Sequence, residues 1–312
     1  MADTVVASSL TPASNKTGKS TVVRLFKVSD IPAAMDKMKW PVAAALMRHW
    51  FKGEPWKNAS GGMEKEEKEH TRPMPEQYIE EDIVKMDWVL KFKKPSDTLQ
   101  VLKGAWNNDK AMPEIKTNIL RAFGKSGPGC YPVKFNGKGR AAEKFGYFNS
   151  RAVKFSQMGG GELDELRGAL ANFNMRVIAE GVVNVFDKKI VFVADRLGYY
   201  VEDNYDFNDG DDFISQPLGF WNFDGVAGVI EANAQNMAID QETSGIVQSS
   251  LFGMSDASEK RFVELANKRF FFIQNKHFVE YRKLHAKGGD FKLFSDIFYE
   301  SIAPVSIELV KS

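Results

Sequence analysis

The feature that most constrains this chain is a pair of β-rich runs facing each other across a three-residue break. Met175 to Phe186 carries Val177, Val183 and Val185 at alternating positions, and Ile190 to Val201 is crowded with Val, Phe and Tyr. Asp187-Lys188 lies between them as a hairpin turn. Alternation with this composition describes two strands that bury one face. A hairpin alone is marginal, so the C-terminal half is expected to build on it.

The segments before it read as helical. Asp30 followed by Pro32 is a helix start, Pro41 begins or kinks a second helix, and Gly53 with Pro55 ends it. Leu99, Leu102 and Trp106, then Ile115, Ile119, Leu120 and Phe123, recur at helical spacing. Residues 21–28 read as a short strand. The run 83–92 is a buried strand or one helical turn, because its period favours neither. Residues 57–76 and the Gly- and Pro-rich 124–140 read as loops. Glu162 to Phe173 reads as a helix. After the hairpin, 224–257 is weakly patterned, Ser258 to His285 is the longest helix candidate with Gly288-Gly289 as its stop, and Phe291 to Phe298 reads as a final strand.

The expected fold is α+β: a helical N-terminal half, a C-terminal half built on the hairpin or a small barrel, and one long C-terminal helix. The expected division is a flexible tail over 1–25, a mainly helical region over 26–172 and a β-rich region over 173–312, with a soft boundary.

Composition narrows the function classes. Net charge is +1 over 312 residues, so no global field favours nucleic acid or an anionic membrane. Cys130 is the single cysteine, which rules out an intramolecular disulfide and an all-cysteine metal site. The four histidines form no metal-binding spacing. No apolar run is long enough to span a bilayer, and the first twenty residues do not read as a signal peptide. Ala13 to Ser20 approximates a phosphate-binding loop but lacks the strand and long helix that would make it one. These readings fit folding in a reducing cytoplasm, with any later export needing a machine that uses no cleavable leader.

The densest patch of candidate chemistry is Tyr199 to Asp212, where Glu202, Asp203, Asp206, Asp209, Asp211 and Asp212 are interleaved with aromatic residues. Like charges gathered by a fold need compensation, from a divalent cation or from a raised carboxyl pKa useful in acid–base chemistry. A solvated acidic turn is the alternative. The basic stretch around Arg282 and His285 is a second candidate, or simply a capped helix end.

Four segments together carry a resemblance: Asp30 to Phe51, Met86 to Leu90, Gly198 to Asn208 (GYYVEDNYDFN) and Gly288 to Asp296. They resemble an uncharacterised bacterial family whose genes occur among type VI secretion components. The resemblance implies delivery by a contractile machine into a target-cell periplasm, a spike or adaptor protein as partner, and an immunity protein. More locally, Asp203, Tyr205 and Asp206 resemble the first half of the colicin M family motif, whose members cleave lipid II. Glu202 holds the place where that motif has its first aspartate, and no His-Arg pair follows Asp206 nearby. The likeness implies a catalytic set of Asp203, Tyr205, Asp206, Arg282 and His285, with Mg2+ on Asp203 and Asp206, hydrolysing a lipid-linked pyrophosphate. A non-catalytic cargo adaptor is the alternative.

Overall fold

A computed structural model describes residues 23–155, 163–208, 215–250 and 253–310. The tail, the phosphate-loop-like segment and the acids Asp209, Asp211 and Asp212 lie outside the described residues. The first part of the chain supplies α1 (Ile31–Lys37), α2 (Pro41–Lys52), α3 (Lys65–Lys68), β1 (Ile79–Glu80), α4 (Met86–Val89), α5 (Lys93–Ala105), α6 (Met112–Phe123), β2 (Gly129–Val133), α7 (Gly139–Phe145), β3 (Asn149–Val153) and α8 (Glu165–Leu170). The second part supplies β4 (Phe173–Val185), β5 (Lys189–Tyr205), β6 (Pro217–Asn222), β7 (Gly225–Ala227), α9 (Val229–Ser249), α10 (Asp256–Asn267), β8 (Phe271–Gln274), α11 (Asn275–His285), β9 (Phe291–Phe294) and β10 (Phe298–Val310).

The hairpin is the axis of the molecule. β4 and β5 are long enough to serve two neighbours each. β4 pairs β3 near its start and β2 near its end, and β5 pairs β10 along its first part and β9 at Glu202–Tyr205. With β1 beside β9, seven strands form a curled, half-barrel sheet. β6, β7 and β8 form a separate three-stranded sheet. The architecture is α+β.

Alternation gives the sheet two unlike faces. Val177, Tyr199 and Val201 face a core that also contains Met35, Leu46, Trp50 and Leu99, so one apolar cluster joins both halves of the chain. The opposite face carries Arg176 and Glu180 on β4, paired with Tyr200 and Arg196 on β5. Residues 135–145 strap over this second face: Phe135 N donates to Glu180 Oε1 at 2.7 Å, and Tyr200 OH donates to Glu143 Oε2 at 2.8 Å.

Several expectations are corrected. Residues 23–27 form no strand, and Val28–Asp30 is a 3-10 turn. The 124–140 loop contains β2, which tolerates Pro132 because among the described residues it is an edge strand paired with β4 alone. The stretch 258–285 is not one helix. The aromatic run Phe270 to Ile273 prefers extended backbone and pairs with β6, splitting it into α10, β8 and α11. The longest helix among the described residues is instead α9, which has a weak apolar stripe because only its Ala232 and Ile239 are buried. α11 ends at Ala286 in the left-handed region (φ 48°), ahead of the two glycines.

Candidate active site

Strand β5 runs to Tyr205, so the acid-rich segment begins within the sheet and not after it. Alternation then splits the acids. Glu202 shares the polar face with Tyr200 and Arg176, whereas Asp203 and Tyr205 point to the other side. Lys292 on β9, opposite Asn204, brings a cation to the polar face.

Glu202 sits at the centre of an ion cluster. Its Oε2 accepts from Arg176 Nη2 at 2.8 Å and its Oε1 accepts from Lys292 Nζ at 2.8 Å. His70 Nε2 lies 3.2 Å from the same Oε1 and 3.1 Å from Lys292 Nζ. Lys292 Nζ also donates to the Lys68 carbonyl at 3.3 Å. Glu143 binds Arg176 from the strap. Arg176 lies 4.2 Å over the Tyr147 ring. Burial by itself would raise the Glu202 carboxyl. The His70 hydrogen bond and the Arg176 and Lys292 charges outweigh it and hold the group down at about 2. Tyr200 is pushed well up, by burial first and then by the Glu143 charge.

Exposure distinguishes these groups. Lys292 is 1% exposed and Glu202 2%, while the His70 side chain is 39% exposed. The imidazole therefore connects a buried ion cluster to solvent. His70 adopts φ 60°, uncommon for a residue with a Cβ, which turns its side chain back onto the sheet from the loop after α3. The triangle of Nε2, Oε1 and Nζ admits two arrangements. Lys292 can donate to both acceptors, with the ring proton on Nδ1, or Nε2–H can donate to Glu202.

The predicted site residues are dispersed around this centre. Asp206 accepts from Lys68 Nζ at 2.7 Å. Burial raises its carboxyl, opposed by Lys68. Asp203 is raised well above the ordinary range by burial and then by the Glu202 charge. Tyr205 is buried, stacks 4.9 Å from Phe291, and donates towards Met47 Sδ at 3.8 Å; burial raises its hydroxyl. Arg282 is buried in a different network. It donates to Asp290, to Gly288 O at 2.9 Å and to Asn208 Oδ1 at 2.9 Å. Asp290 is completed there by Trp50 Nε1 at 2.8 Å and Met63 N at 3.0 Å. Both carboxylate oxygens of Asp290 serve the fold, so Arg282 is a structural anchor. His285 is exposed and lies 4.4 Å from the Tyr281 ring. The structure thus brings Arg282 to within two residues of Asp206 through Asn208 and gives His285 no contact with the acids among the described residues. A magnesium ion on Asp203 and Asp206 would have to displace Lys68 from Asp206.

The sequence alone places His70 in a loop and gives Glu143, Arg176 and Lys292 no role. A signal is nonetheless present: Arg176, Glu180 and Lys292 each interrupt an apolar strand run, and charges in such places are buried only when paired. Their mutual proximity is what no local pattern carries. Among the described residues, Glu64, Glu66 and Glu67 also cluster, but Arg72 already lies among their carboxylates.

No helix of the described residues is long and apolar enough to cross a membrane. Neither a curated protein nor a solved structure matches the chain. One family model spans residues 26–309, nearly the whole described chain, and on that match the chain belongs to the family of unknown function DUF6402.

Proposed function

We propose that this chain is an antibacterial effector carried by a type VI secretion machine, acting on a lipid-linked pyrophosphate as an acid–base hydrolase centred on Glu202 and His70. The observation that carries the catalytic part is the His70 imidazole, partly exposed, held at 3.2 Å on a buried carboxylate that is itself fixed by Arg176 and Lys292. A base oriented by a carboxylate is the arrangement hydrolytic centres use. The export part rests on the sequence likeness to a family found among secretion genes.

In this scheme Nε2–H donates to Glu202, and Nδ1 takes a proton from water. The water oxygen bonds to phosphorus as the bond to the leaving oxygen breaks. The imidazolium, stabilised by the Glu202 charge, then returns the proton to that leaving oxygen. Lys68, partly exposed beside Asp206, is the cation that meets the phosphoryl oxygens.

A separate observation favours a cargo adaptor as the second reading. Helix α9 leaves Ile230 87% and Met237 73% exposed, with Val229 and Val247 also uncovered. Surfaces of this kind mark interaction sites.

Expression in a bacterium, with and without a periplasmic leader, separates the two. The effector reading expects loss of viability only with the leader. Growth unaffected in both compartments, with the protein accumulating folded, supports the adaptor and removes the hydrolase.

A further inference from the structure

A second place on the polar face has the makings of a ligand site, and it is independent of the Glu202 reading. Three adjacent strands break register at one level. β4 and β5 shift between Glu180/Gly181 and Arg196/Ala194, leaving Asp195 as an extra residue, and β10 shifts beside it between Ser301 and Val305. In regular strands Asp195 and Arg196 would point to opposite faces. A bulge re-aims one of them. Both line a single open cleft of about 590 Å³ with Lys134, Glu180 and Ser301. That size suits a small molecule.

The cleft is built asymmetrically. Glu180 is 2% exposed and accepts from Phe135 N, from Tyr299 OH at 2.5 Å and from Arg196 Nη2. Its charge and its acceptors serve the protein. Arg196 is clamped from a second side by the Tyr299 ring, 4.2 Å from its guanidinium carbon. Its other N–H groups have no side-chain partner among the described residues, and its side chain is 42% exposed. A guanidinium held on one edge and one face presents a fixed fork to a carboxylate. Lys134, exposed at the end of β2, adds a second positive charge to the same wall. Asp195, also exposed, supplies a negative charge next to it. An inorganic anion would meet Asp195 unfavourably. A ligand carrying an anion and a cation a few bonds apart would satisfy both walls.

We propose that this bulge cleft binds a small zwitterion of the amino-acid type, its carboxylate on Arg196 and Lys134 and its ammonium on Asp195. Free amino acids and the ends of short peptides share this chemistry.

The test is amide chemical-shift titration of the full isotope-labelled chain with alanine and with dialanine, using acetate and methylamine as single-charge controls. The expected result is saturable shifts at Lys134, Asp195, Arg196 and Ser301 with alanine or dialanine, at least about tenfold tighter than with either control. Which of the two binds more tightly distinguishes a free amino acid from a peptide end. Asp195→Asn and Lys134→Gln, both at exposed positions, should each weaken binding about tenfold. Arg196 is left intact because its loss would strand the buried Glu180. No saturable shift with either ligand, acetate binding as tightly as alanine, or undiminished binding in Asp195→Asn would each overturn the proposal.

Discussion

At the residue scale, Glu202 is the position where burial and charge meet most sharply. Its carboxyl is lowered from an ordinary 4.5 to about 2, so it contributes stability that is complete above about pH 4.5 and is lost as pH falls through 2. That shift corresponds to about 3 kcal/mol. Glu202→Gln removes this contribution and leaves Arg176 and Lys292 without their shared anion. Urea unfolding should show the wild type about 3 kcal/mol more stable near neutral pH, with the gap closing between about pH 4.5 and 2. A gap independent of pH would mean that Glu202 is not ionised in the folded chain. Asp203 and Asp206 have raised carboxyls and bias stability the other way, towards acid, which is why the comparison is made against one substitution and not read from the wild type alone. The acid-rich segment is legible from sequence as a place of unusual electrostatics. Which acid matters is not, because the choice depends on strand phase: ending β5 at Val201 leaves Glu202 in a turn, whereas continuing it to Tyr205 directs Glu202 at Arg176 and Lys292.

At the scale of elements, the local signals hold where the cause is local. Pro32 and Pro41 sit in the first turns of α1 and α2, and Asp187-Lys188 turns the hairpin. Where tertiary contact decides, local patterns mislead. Gly288-Gly289 looks like a helix stop, yet α11 is closed two residues earlier by Ala286. The glycines serve close approach. A Cβ on Gly288 would fall 2.4 Å from the Trp50 ring, and one on Gly289 would fall 2.5 Å from Glu54 O. Gly288 also has φ 104°, which side chains with a Cβ avoid. Gly288→Ala should therefore cost at least about 2 kcal/mol. Ala286→Gly, which relieves a left-handed alanine, should gain about 0.5–1 kcal/mol. Chemical denaturation of both variants checks the pair. A tolerated Gly288→Ala together with a harmful Ala286→Gly would show that the glycines are not needed for close approach.

At the scale of the whole molecule, one apolar core draws on α1 and α2 from the start of the chain and on β9 and β10 from its end. The Glu202 centre is assembled in the same way. The loop after α3 contributes His70, α7 Glu143, β4 Arg176, β5 Glu202 and β9 Lys292. No short motif could encode such a site, which explains why the residues near Asp206 stand out in the sequence while those closing around Glu202 do not. The role of the His70–Glu202 pair is measured most directly by killing with periplasm-directed protein carrying His70→Gln, beside His285→Ala, at matched expression and melting temperature. His70 is partly exposed, and a glutamine amide oxygen can still accept from Lys292, so the fold should survive the change. His70→Gln should abolish killing, and His285→Ala should kill like the wild type. Killing that survives His70→Gln, or that depends on His285, would contradict that role.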